Sequence, residues 1–130
     1  MTDYPSNLLY TKEHEWVRIA ADGTAVAGIT SFAQSELGDI VFVDLPKVGS
    51  SFDQFAKMGE IESVKTVSTL FVPLGSEVIE VNTRLRNEPE LVNLDPYGEG
   101  WLVKVRLTDP SQASKLLTAD AYQRVVSESH

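Results

Sequence analysis

The 130-residue chain contains no cysteine and only two histidines, His14 and His130. Without cysteine there is no disulfide, no thiolate metal site, no CxxC redox centre and no sulfur nucleophile. With only two histidines, the second at the C-terminus, a multi-histidine metal site is excluded as well. Basic residues are scarce as well, with 11 Lys+Arg against 19 Asp+Glu and a formal net charge of −8. Nucleic-acid binding needs a basic patch that displaces phosphate counterions, so that class is excluded, and acidic membrane surfaces with it. No apolar run approaches the roughly 18 residues that a membrane span requires. The opening residues Met1-Thr2-Asp3-Tyr4-Pro5 have neither the basic and apolar regions of a secretory signal nor the Arg-rich character of a transit peptide. The expected compartment is a bacterial cytoplasm, ahead of a mitochondrial matrix, because a mature organelle protein would normally have lost Met1.

What the chain does contain is ordinary globular material. Hydrophobic residues make up 42% and charged residues 23%, a balance far from that of disordered chains. At this length a fold buries roughly two-thirds of its unfolded surface, enough to hold together without staples. Short β-type runs dominate the first hundred residues. Glu15 to Ile19 and Thr24 to Thr30 flank Ala21-Asp22-Gly23, a hairpin signal because Asp-Gly accepts the positive φ of tight turns. Further strands are expected at Asp39 to Leu45, Lys57 to Ser63, Val67 to Val72, Ser76 to Asn82 and Trp101 to Leu107. Ser31 and Gln34 read as the N-cap and N3 of a capping box, with Gly38 ending a short helix. Asp109 before Pro110 starts a second short helix that includes Leu116 and Leu117, and Thr118 caps a final one carrying Ala121, Tyr122, Val125 and Val126. Many short strands followed by helix predict a β-sandwich or barrel with a helical C-terminal appendage.

Few residues offer chemistry. His14 stands between Glu13 and Glu15, which resembles a general base or half a metal site. On a strand, however, the two carboxylates would face away from the imidazole, and no second histidine is at hand. Trp16 is expected in the core or on the floor of a groove. No serine lies in a Gly-x-Ser-x-Gly elbow. Gly98 and Gly100 read as flexible loop glycines, not as a phosphate cradle. Between two β-type runs, where a hairpin has to turn, stands Lys65. An exposed lysine is a poor general base at pH 7, yet its ε-amine is open to an enzyme that acylates it and deletes its charge.

Around that lysine the sequence resembles a known family. Glu62-Ser63-Val64-Lys65-x-x-Ser68, with Pro73 eight residues beyond the lysine, is similar to the lipoyl-attachment hairpin of glycine cleavage system H proteins. The resemblance runs over nearly the whole chain. It includes His14-Glu15-Trp16-Val17, Gly28-Ile29-Thr30, Leu37-Gly38, Val41-Phe42-Val43-x-Leu45-Pro46 and Glu77-Val78-Ile79-Glu80-Val81-Asn82. Pro89-Glu90-Leu91-Val92-Asn93 and Asp95-Pro96-Tyr97-Gly98-Glu99-Gly100-Trp101 follow in order. Biotinyl domains usually place methionines beside the target lysine, where this chain has Val64 and Thr66. Dehydrogenase lipoyl domains lack the flanking blocks seen here. The chain departs from the family in reading Leu74-Gly75-Ser76 after Pro73, which would move the positive-φ residue of that turn by one, and in holding Thr69 and Glu13 where many members have an acid and a serine.

The resemblance implies a mainly β, lipoyl/biotinyl-like barrel-sandwich hybrid with short helices and a C-terminal helix. One lipoyl-carrier domain would span residues 1–130, with the lipoyl hairpin at about 57–82 and the appendage at about 110–128. It implies a monomeric, non-catalytic carrier that holds lipoate as an amide on Lys65. A separate lipoylating enzyme would attach the group. A pyridoxal-phosphate glycine decarboxylase would load it with an aminomethyl group, and a tetrahydrofolate-dependent aminomethyltransferase would unload it. Dihydrolipoamide dehydrogenase, with FAD and NAD, would reoxidise it. Glu15 is expected as an acidic contact for the loaded arm, and Glu60 and Glu62 as surface charges that steer partners. The alternative reading is a relay scaffold that supplies lipoate to other dehydrogenase complexes from the same lysine.

Overall fold

Alternating β-type sequence and tight turns produce nine strands among the described residues of the computed structural model, which covers residues 4–128. The expectations for Met1–Asp3 and His130 lie outside those residues. The strands are β1 (Leu9–Tyr10), β2 (Glu15–Ile19), β3 (Thr24–Ile29), β4 (Ile40–Asp44) and β5 (Ser51–Phe52), then β6 (Lys57–Ser63), β7 (Val67–Phe71), β8 (Ser76–Val81) and β9 (Val103–Leu107). Three α-helices intervene: α1 (Ser31–Leu37), α2 (Leu91–Leu94) and α3 (Ala119–Glu128), with 3-10 turns at Thr83–Arg86 and Pro110–Lys115. The strands form an antiparallel six-stranded sheet in the order β1-β2-β3-β9-β8-β5 and an antiparallel three-stranded sheet in the order β4-β6-β7.

The period of two decides which side chains enter the core. On β6 and β7, Ile61 and Leu70 point inward and are buried, while Glu60 and Glu62 point outward. They meet Val17, Ala25, Ala27, Val78, Val103 and Val105 from the larger sheet in one apolar cluster. A second cluster, of Leu8, Tyr10, Trp16, Tyr122 and Val126, docks α3 on the far side of β1 and β2. The Tyr10 and Tyr122 rings stack there with centroids 4.8 Å apart. Burial of side chains such as Val126 contributes about 1.5–3 kcal/mol each, so α3 is held by packing as well as by its own hydrogen bonds.

The mainly β architecture with short helices and a terminal helix is as expected; several local readings are not. The N-cap of α1 is Thr30, not Ser31: Thr30 is extended and its Oγ1 accepts the Ala33 N–H. Gln34 spends its side chain on Ser31 O and on Asn93 instead of closing a capping box. Asp109 does cap a short turn with Pro110 at its start, but the turn ends at Lys115. Leu116 is extended, and Leu117 pairs with Tyr10 as a β-bridge, because the apolar cluster under β1 draws that segment out of helix. Thr118 caps α3 through the Ala121 N–H. Gly75 does not take over a positive φ, nor do Gly98 and Gly100. A Cβ on Gly75 would first meet the movable end of Gln112, at 2.9 Å, whereas one on Gly100 would run into the backbone carbonyl of Leu91 and one on Gly98 into the Asp95 carboxylate, so close approach and not flexibility accounts for Gly98 and Gly100.

Candidate functional site

The β6–β7 hairpin turns through Ser63, Val64, Lys65 and Thr66 with no positive φ, so β-branched Val64 and the long Lys65 fit without strain. Ser63 organises the turn. Its backbone N–H donates to Thr66 O at 2.8 Å, and its buried Oγ accepts the N–H groups of Lys65 at 3.1 Å and Thr66 at 3.2 Å. The remaining N–H, that of Val64, donates to Asp39 O at 3.0 Å. Each backbone donor of the turn is therefore satisfied, which fixes its shape. The Lys65 side chain lies over Gly38 and is exposed, and no ion pair among the described residues involves it.

Exposed apolar side chains flank this turn on the outer face of the small sheet. Phe42, Glu62 and Val67 are cross-strand neighbours in one row, and Phe42 and Val67 are more than half exposed, at 56% and 55%. Val64 beside the lysine is 67% exposed. Water is a poor solvent for such a row, and a partner that covers it gains apolar burial.

Glu15 behaves unlike a strand carboxylate. The reading that set Glu13 and Glu15 on the face opposite His14 fails, because β2 begins only at Glu15. His14 occupies a left-handed turn (φ 74°) closed by its N–H to Thr11 O. Glu13 is left in solvent while Glu15 turns inward and is 1% exposed. One Glu15 oxygen accepts the Thr11 hydroxyl at 2.6 Å, and the other accepts the Phe71 N–H at 3.1 Å. Burial pushes its carboxyl up to about 7, with the Thr11 and Phe71 hydrogen bonds opposing. Thr11 and Phe71 also line a cleft of about 410 Å³ together with Glu13, Phe55, Lys115 and Leu117. Strand β7 thus runs from the Lys65 turn at one end to the cleft wall and Glu15 at the other.

His14 itself is a structural joint. Its Nδ1 lies 2.8 Å from the Tyr122 hydroxyl, which is 2.7 Å from Thr30 Oγ1, linking α3 to the cap of α1. Burial lowers its pKa, with Glu13 and Glu36 opposing, and a neutral ring can accept the Tyr122 proton at Nδ1. Trp16 is wholly buried and donates Nε1–H to Pro96 O. Sequence reasoning missed Thr11, Phe71 and Asn93. The Phe71 contribution is a backbone N–H, which leaves no trace in side-chain identity, and the partners of Asn93 lie 53 to 59 residues away.

Comparison with known proteins adds independent findings. The family profile described as Glycine cleavage H-protein matches residues 8–129. The glycine cleavage system H protein of Bacteroides thetaiotaomicron is 54% identical over 124 residues, covering 95% of this chain and 98% of that one. That of Symbiobacterium thermophilum is 49% identical over 128 residues, covering 98% and 99%. The crystal structure of a glycine cleavage system H protein from Mycobacterium marinum superposes with a TM-score of 0.89 at 42% identity, covering 95% and 99%.

Proposed function

Since the chain belongs to the glycine cleavage H-protein family, a family of lipoyl carriers with a barrel-sandwich fold, we propose that Lys65 bears the lipoyl group as an ε-amide. The observation that carries this reading is the turn itself: an exposed lysine, free of ion pairs among the described residues, on a backbone with every N–H satisfied. When attached, lipoate supplies a disulfide able to accept an aminomethyl group from glycine and to release it again. The fit is chemical as well as steric. Acylation removes one positive charge that no neighbour needs, and the rigid turn presents the amine without much protein bulk.

Residues 1–130 act in this proposal as one carrier domain that performs no catalysis of its own. Lys65 visits in turn the lipoylating enzyme, the pyridoxal-phosphate decarboxylase, the tetrahydrofolate-dependent aminomethyltransferase and the FAD- and NAD-using dihydrolipoamide dehydrogenase. Phe42 and Val67 give each enzyme an apolar seat beside the lysine, and Glu60 and Glu62 steer it by charge. Glu15 acts on the arm through the cleft wall: it is buried itself, and its hydrogen bonds run to Thr11 and Phe71, two of the lining residues. A cationic amine brought there would favour the ionised form of a carboxyl that burial otherwise keeps partly protonated. The carrier works in a bacterial cytoplasm; the relatives named above are bacterial, and no helix among the described residues is long and apolar enough to cross a membrane.

Peptide mass spectrometry of protein from lipoate-replete cells tests the assignment. A lipoyl or octanoyl group on Lys65, lost in Lys65→Arg, is expected; an unmodified Lys65 in such cells would sink it. Reconstitution with the three glycine-cleavage enzymes separates the carrier from a lipoate relay, which would be lipoylated without supporting glycine breakdown.

A further inference from the structure

We infer that Asn93 is a positioning residue for the Lys65 turn, acting through the segment Gly38-Asp39-Ile40. Its bearing on lipoylation rests on Lys65 being the attachment point. The side-chain amide of Asn93, in α2, grips that segment on both sides of Asp39. Nδ2 donates to Gly38 O at 2.8 Å and to Gln34 Oε1 at 3.0 Å, and Oδ1 accepts the Ile40 N–H at 2.9 Å. A backbone acceptor at one end and a backbone donor at the other dictate which amide atom is which.

The gripped segment in turn touches the lysine turn at two points. Asp39 O accepts the N–H of Val64, the residue immediately before Lys65, at 3.0 Å. Gly38, at φ 81°, lies beneath the lysine stem, where an added Cβ would stand in ordinary van der Waals contact with Lys65 Cε, at 3.5 Å. Asn93 makes no hydrogen bond to residues 63–66 itself.

Apart from this grip, Ile40 anchors the segment at its far end: it is buried in the core and paired with Ser63. Helix α1 before it has no fully buried side chain and meets the larger apolar cluster only through partly buried Ala33 and Leu37. The β4–β6 ladder after it is broken by an irregularity between Ile40 and Phe42. One amide that both donates and accepts adds to these anchors on both sides of Asp39, which is chemistry that Asp, Leu or Ala cannot supply in full. The Ser63 hydroxyl fixes the turn internally, whereas Asn93 fixes how the whole turn sits on the domain.

The test compares Asn93→Ala, Asn93→Asp and Gln34→Ala with the unaltered full-length apo chain. Asn93→Asp keeps an acceptor for Ile40 but loses both donors, and Gln34→Ala removes only one partner of the amide. Amide hydrogen exchange is followed by NMR at Val64, with Ile61 and Val105 as core references. Attachment by a lipoate ligase, with lipoate and ATP, is measured as separate kcat and KM. In both Asn93 variants we expect Val64 to exchange about tenfold faster while Ile61 and Val105 stay within about twofold, the mark of local opening. KM for the protein substrate should rise about tenfold with kcat nearly unchanged, since the ligase must then order the turn on binding. Gln34→Ala should change either quantity by less than about threefold. Unchanged Val64 exchange in both Asn93 variants would overturn the inference. So would parallel loss of protection at Ile61 and Val105 in both, which would make Asn93 a general fold residue. If unaltered chain takes no lipoyl on Lys65 but Val64 still responds, the lysine assignment fails and the positioning by Asn93 stands.

Discussion

The Glu15 carboxylate, at the start of β2, accepts the backbone N–H of Phe71, at the end of β7, at 3.1 Å. One buried acid therefore joins the large sheet to the small one across 56 residues of sequence, and its proton is sensitive to the pH of the medium.

Replacing Glu15 with Gln should flatten part of the stability profile. Burial raises the folded-state pKa of Glu15 from 4.5 to about 7, so between those values the native protein holds a proton that the unfolded chain has released. Its contribution is fully present below pH 4.5, falls as pH rises towards 7, and is constant above. The fall is on the order of 3 kcal/mol for a shift of this size. His14, lowered by burial, works in the opposite sense as pH approaches 6.5 from below, so the difference between the chain and Glu15→Gln isolates the acid. Urea unfolding from pH 4 to 8 measures it, and identical slopes in both proteins would refute the account.

Tyr122→Phe should loosen the C-terminal helix. The hydroxyl is buried between His14 Nδ1 and Thr30 Oγ1, and its loss leaves both without that partner. A cost of about 1–3 kcal/mol is expected. Denaturant unfolding reads the cost, and NMR titration of His14 should move in the same variant. A His14 titration identical to that of the unaltered chain would show that the hydroxyl does not set its state.

Phe42→Ser should leave the fold intact and impair recognition. The ring is more than half exposed, so stability should change by no more than about 0.5 kcal/mol. Ligase-catalysed attachment to Lys65 should slow several-fold, because the apolar seat next to the turn is gone. Normal attachment kinetics would remove Phe42 from the recognised surface.

Gly59→Ala should damage the small sheet. A Cβ at that position would run into the backbone carbonyl of Asp44 on the adjacent strand β4, and a backbone atom cannot swing aside. Overpacking of this kind costs about 1–3 kcal/mol. Thermal unfolding should show a lowered midpoint, and chemical-shift changes should concentrate on β4 and β6. A midpoint equal to that of the unaltered chain would mean that the two strands separate freely.

Sequence alone determined the elements whose signals are local. Runs of β-type residues marked β2, β3, β6 and β7, Asp22-Gly23 marked the first hairpin turn, where Gly23 has φ 87°, and the motifs around Lys65 singled out one lysine of the chain. Turn chemistry and the β-preference of branched and aromatic residues act within a few residues, so they survive in a one-dimensional reading. Tertiary structure decided the rest. It turned Glu15 inward by placing His14 in a left-handed turn, moved the α1 cap from Ser31 to Thr30, and drew Leu117 out of helix to pair with Tyr10. It also brought Asn93 against Gly38 and Ile40, and through Asp39 against the turn that carries Lys65. These contacts join backbone groups to side chains dozens of residues away. A buried polar atom must find a partner wherever the fold supplies one, and no residue near it in sequence reveals which partner that is.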